Sequence, residues 1–135
     1  MEVLTVSILL YLGYSDGIQV QFGNAVELCK NQSSQVPIFY EENDFINLKS
    51  IMKLNSTLRI WINMKIDKVI WTYGYNKPSN MYWNGNVSNY YPNITWDCNY
   101  ESCMTYDLAS NSFMDYNCTK VMDFMCITSE FILQK

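Results

Sequence analysis

The stretch CMTYDLASNSFMDYNCTKVMDFMC, running from Cys103 to Cys126, decides how the chain is read. Within it and one residue past its end, Met104 to Leu108, Phe113 to Tyr116 and Val121 to Ile127 are short apolar runs of strand length. Three of the chain's five cysteines punctuate these runs, and the chain contains no histidine. Cysteines at this density in 135 residues read as disulfides rather than metal ligands. Counting alone does not assign the pairs. The missing imidazole excludes Ser-His-Asp triads, Cys-His pairs, and His-ligated zinc or haem.

Upstream of Cys103 the chain turns irregular as far back as Gly74. This segment is rich in Asn, Tyr, Trp and Pro, and has no helical period. Loops of this length inside a compact domain are functional or disordered. Its seven Tyr and Trp residues argue against disorder. Before it, Leu58 to Met64 and Lys68 to Tyr73 read as buried strands. Glu41 to Met52 is the clearest helix: Phe45, Leu48 and Met52 recur on one face, and acidic residues occupy the first turn. Gly23 to Lys30 carries Ala25, Leu28 and Cys29 on another helical face, and Ile18 to Phe22 alternates as a half-buried strand does. Two early helices followed by strands around a long loop give an α+β expectation.

The remaining features concern compartment and partners. Val3 to Leu12 is an apolar run too short to span a bilayer, and Gly13 and Ser15 place small residues before a cut at Asp16. This divides the chain into a signal peptide over residues 1–15 and one domain over residues 16–135. An N-terminal strand of the mature fold is the alternative. Five Asn-x-Ser/Thr sequons stand at Asn31, Asn55, Asn86, Asn93 and Asn117. Random placement would give roughly two, so glycosylation and a secreted, extracellular location are expected. The net charge is -4 and the nine Lys and Arg are scattered, so no nucleic-acid partner is expected.

In this order the landmarks resemble the C-type lectin-like domain family. Phe22, Ala25 and Cys29 match the family's aromatic-Ala-Cys helix, with Phe where the family prefers Trp. Val36-Pro-Ile38 and Glu41-Glu-Asn-Asp-Phe45 match its turn and second helix. Trp61-Ile62-Asn63-Met64 matches its Trp-Ile-Gly-Leu strand. Trp71 and Trp83-Asn-Gly85 match its aromatic anchors, and Cys103, Phe113-Met114-Asp115, Cys118 and Phe124-Met125-Cys126 match its closing signature. The resemblance implies two helices, a small antiparallel sheet, a long irregular loop and two core disulfides, Cys29–Cys126 and Cys103–Cys118.

Sugar-binding members of that family hold calcium through loop and strand oxygens, because calcium takes six to eight of them. Glu101 matches the later loop Glu, Asp115 the strand Asp, and Pro92-Asn93 the Pro-Asn of the loop motif. Tyr91 stands where Glu or Gln is required, and Met114 where the strand Asn is required. A thioether is a poor calcium ligand. Trp96 can alternatively be read as the aromatic preceding the motif, which would then be deleted. The degenerate positions Asn93, Glu101 and Asp115 therefore imply no metal and no cofactor, calcium being the one candidate. The resemblance instead implies recognition of a glycan or extracellular protein through Tyr91, Asn93, Trp96, Glu101 and Asp115, in a loop that also carries Tyr82, Trp83, Tyr90 and Tyr100. For Trp83 and Trp96 the reading as core anchors of the loop comes ahead of ligand contact, since large aromatics are usually buried.

Cys98 is left over from the implied bridges. Its polar surroundings suggest an exposed thiol, read as an interchain disulfide or, alternatively, as a free or locally shuffled thiol. An enzyme would need a carboxylate pair, such as Asp97 with Glu101 or Asp107 with Asp115, and no motif sets either pair across a cleft. The expected function is binding, not catalysis.

Overall fold

The computed structural model describes residues 18–67, 78, 80–85 and 88–127. The expected leader, the Lys68 to Tyr73 strand, Trp71 and Asn86 lie outside these residues.

Helix α1 (Phe22–Lys30) buries Ala25 and Cys29. The expected strand over Ile18 to Phe22 is not there: Val20 makes an isolated bridge to Met122, and Phe22 already opens the helix. Helix α2 (Glu42–Leu54) buries Phe45, Leu48 and Met52, the face read from their spacing. Asp44 fixes its start. The carboxylate accepts the Tyr40 and Glu41 backbone N–H groups at 2.7 and 3.1 Å, holding donors that a helix start leaves unpaired.

The apolar run after α2 forms two strands rather than one. Strands β1 (Arg59–Ile62) and β2 (Met64–Ile66) are separated at Asn63, whose N–H donates to the Pro37 carbonyl. Strand β2 pairs antiparallel with β3 (Met81–Trp83). The others form one sheet in the order β1-β5-β6-β4, from β4 (Thr95–Asp97), β5 (Cys103–Asp107) and β6 (Ser112–Tyr116). Pairs β1–β5 and β5–β6 are antiparallel, while β4 runs parallel to β6. The loop thus contributes two short strands that its composition concealed. Val121 to Ile127 is not a strand but an extended tail: Met122, Asp123 and Ile127 make isolated bridges to Val20, Ile60 and Gln35.

Among the described residues two apolar clusters result. The larger packs α2 against Ile60, Tyr106 and Phe113 of the sheet and against Trp83 and Trp96 of the loop. The smaller packs α1 against Trp61, Phe124 and the Cys29–Cys126 disulfide. Trp61 is fully buried, and its indole N–H donates to the Val20 carbonyl at 2.8 Å. The second bridge is Cys103–Cys118, so both implied pairs are present. By loop length they restrict the unfolded chain by about 4.7 and 3 kcal/mol in the chain-entropy account.

Candidate functional site

The return leg of the loop is pinned before it reaches the expected site. The Ser88 hydroxyl donates to the Phe39 carbonyl at 2.6 Å, and the Trp83 indole N–H donates to the Tyr90 carbonyl at 2.9 Å. Tyr91 is half-buried, its ring stacked on Trp83 with centroids 5.5 Å apart. From Pro92 onward the chain alternates: Pro92, Ile94, Trp96 and Cys98 are buried, while Asn93, Thr95 and Asp97 are exposed. This is the period of a strand with one face inward.

That alternation settles where Trp96 and Cys98 lie. Trp96 is 2% exposed and meets Phe113 edge-on at 4.7 Å, so it anchors the core and offers no surface to a ligand. Cys98 is 3% exposed, against the expectation of a surface thiol. It belongs to neither disulfide. Burial, with the nearby charges of Asp115 and Asp97, pushes its thiol up to about 11. An interchain bridge at this position would require the thiol to be exposed first.

The loop then turns over Asp115. Asp115 is 0% exposed, and its carboxylate oxygens accept the backbone N–H groups of Asn99, at 2.6 Å, and of Glu101. Burial raises the Asp115 pKa above the usual carboxylate value, the two N–H groups work against that rise, and the Glu101 charge adds to it. Between the two donors Tyr100 adopts a left-handed backbone, φ 63°, and projects outward at 65% exposure. Two N–H groups either side of a left-handed residue converge here on one carboxylate and form a concave cradle. Here the anion is the chain's own side chain.

With Trp96 in the core, the other candidate residues fall into two clefts. One, of about 430 Å³, lies between α2 and the return leg and is lined by Glu42, Phe45, Lys49, Tyr91, Asn93 and Asn111 among others. The other, of about 270 Å³, is lined by Asn99, Glu101, Asp115, Tyr116, Asn117 and Lys120. Asn93 and the Glu101–Asp115 pair, aligned in the sequence as one ligand set, line different clefts. Sequence reasoning missed Glu42, Lys49 and Lys120; Glu42 and Lys49 flank Phe45 on one side of a recognised helix, and that spacing was the available signal.

The Lectin C-type domain profile matches residues 18–128. The chain belongs to the C-type lectin domain family. Human lithostathine shares its fold with a TM-score of 0.63 at 14% identity, over 83% of this chain and 86% of that one. A Ca2+-dependent type II antifreeze protein, in its Ca2+-free form, gives 0.65 at 14% identity over 94% and 95%. The mouse scavenger receptor C-type lectin carbohydrate-recognition domain gives 0.60 at 14% over 87% and 88%. Identities this low carry the fold alone. No curated protein sequence matches the chain.

As a C-type lectin domain, this one does not fit the calcium the family implies. Each Asp115 oxygen accepts a backbone N–H from a fully buried side chain, so the carboxylate is held by the loop above it. The Met114 sulfur, at the position of the missing Asn, accepts from the Arg59 guanidinium at 3.4 Å. Asn93 lines the other cleft. Among the described residues no group of three or more Cys, Asp or Glu side chains could hold a metal. The positions aligned with the family's calcium ligands, Asn93, Glu101, Met114 and Asp115, thus do not converge on one site as the six to eight oxygens that calcium takes.

The other nominated groups have structural surroundings. Asp107 accepts from Ser110 and forms an ion pair with Arg59 at 3.3 Å. Burial would raise its pKa, but the Ser110 hydrogen bonds and Arg59 outweigh this, and the net direction is down. Among the sequons, Asn31, Asn93 and Asn117 are exposed. Asn55 caps α2, its amide Nδ2 donating to the Ile51 carbonyl at 2.9 Å. No helix among the described residues is long and apolar enough to cross a membrane.

Proposed function

We propose that this chain is a secreted C-type lectin-like recognition module that binds an extracellular protein surface through its long loop, without a calcium bridge. One observation carries the reading: the carboxylate that would hold calcium is closed by the N–H groups of Asn99 and Glu101, and the same turn thrusts Tyr100 into solvent. A tyrosine on an anchored turn offers large contact area at low entropic cost. Tyr82 is also exposed, and Tyr90 half-exposed, along the same loop. The two disulfides, the expected leader and the sequon excess support export.

The test is a glycan array and a pull-down from extracellular fluid, each run with calcium and with chelator. Retention of a protein that survives chelator and is lost in Tyr100→Ala is the expected result. Chelator-reversible calcium binding by titration calorimetry, required for retention of a sugar, overturns the reading. Chelator-resistant retention of a glycan alone moves the ligand class from protein to carbohydrate.

A further inference from the structure

The cleft between α2 and the loop contains a sequon, and its geometry assigns that sequon a use. We propose that Asn93 carries an N-linked glycan whose first sugars seat in this cleft, so that the chain covers the cleft with its own carbohydrate. This rests on the reading of the chain as an exported protein.

Asn93 sits at the apex of a three-residue turn closed by the Ile94 N–H donating to the Pro92 carbonyl at 3.0 Å. Pro92 and Ile94 are both buried, so the turn is fastened on each side and Asn93 is held outward. Thr95, the other residue a sequon requires, is exposed on the same side of the chain. The sequon is thus presented on a fixed backbone beside a concave surface.

The modification joins Asn93 Nδ2 to the anomeric carbon of an oligosaccharide carried on a lipid pyrophosphate. The anomeric C–O bond breaks, the lipid pyrophosphate leaves, and the amide proton is lost to solvent. The cleft suits the first sugars. Its volume of about 430 Å³ lies toward the small end of pockets that enclose small molecules, roughly 300–1,000 Å³, so the outer sugars extend into solvent. Tyr91 stacks on Trp83 and also lines the cleft, giving an apolar wall backed by a second ring. Glu42, Lys49 and Asn111 supply donors and acceptors for hydroxyl and acetamide groups. Asn31, by contrast, is exposed beyond the end of α1 and lines neither cleft.

The experiment expresses the full chain in a eukaryotic secretory line, maps glycopeptides, and compares melting of wild type, Thr95→Val and Asn93→Gln. The same melts are repeated on chains made with a glycosylation inhibitor. The expected result is an occupied Asn93 and a Tm lower by about 3 °C in both variants, a difference absent in the unglycosylated chains. Asn93 bare while another sequon is occupied overturns the proposal alone. An occupied Asn93 with Tm changed by under about 1 °C overturns the seating. No carbohydrate on any sequon of the secreted chain overturns the proposal, and failure of the chain to reach the medium overturns the export reading.

Discussion

Replacing Asp115 separates a metal ligand from a structural acceptor. In the structure its carboxylate satisfies the N–H groups of Asn99 and Glu101 from a fully buried position. Truncation to Ala strands both donors, each costing about 1–3 kcal/mol, and leaves a small cavity. A loss of about 3 kcal/mol is expected for Asp115→Ala, or a Tm lower by about 10 °C in a domain of this size. Asp115→Asn should cost less, about 1 kcal/mol. Both donors need acceptor lone pairs, and an amide keeps one oxygen of the two. The assay is thermal melting by circular dichroism in chelator and in millimolar calcium. The expected order is wild type, Asn, Ala, identical in both buffers. The reasoning is refuted if both variants melt at or above wild type in chelator and lose a calcium-dependent stabilisation that wild type shows. That pattern belongs to a carboxylate held open for a metal.

Three further outcomes are expected. Cys98, with its thiol pushed up to about 11 from 9.0, should hold about a hundredfold less thiolate at pH 8 than an ordinary cysteine; it should label slowly with iodoacetamide when native and fully in denaturant, and a non-reducing gel should show monomer. Asp107 titrates below its ordinary 3.8, so its contribution is complete above that value and is lost as pH falls through the lower folded-state value; Asp107→Asn should flatten the acid limb of the Tm–pH profile and leave the neutral limb parallel to wild type. Asn55 should be bare in glycopeptide maps, because its amide nitrogen is committed to the Ile51 carbonyl, and Asn55→Ala should lower stability by about 1 kcal/mol on denaturant melting.

The frame was legible because its signals are local or covalent. The α2 face follows from the spacing of Phe45, Leu48 and Met52, and the family landmarks name the two bridges that the structure contains. The failures arose where tertiary pairing decides. Val121 to Ile127 is apolar enough for a strand, yet its partners lie in three separate segments, so it makes bridges rather than a ladder. Asn93 stands close in sequence to Glu101, but β4 intervenes as a parallel partner of β6 and sends the two to different clefts. The signal for β4 was present. Ile94-Thr-Trp-Asp-Cys98 alternates apolar and polar, and reading the segment by its polar composition hid a period of two.

The placement of β4 also bears on how the domain stays apart from its neighbours in a crowded solution. The four-stranded sheet has β1 and β4 as its outer strands. Exposed outer strands are templates for pairing with another molecule, and proteins blunt them with short length, charge or cover. Beside β1, the bridge from Ile60 to Asp123 and the Trp61 N–H donating to the Asp123 carbonyl lay the closing tail against the strand. β4 offers only three residues, with Asp97 outward at its end, before the turn over Asp115 bends the chain away. One rim is covered and the other is short and charged, so the sheet resists growth by addition of a further strand at either side.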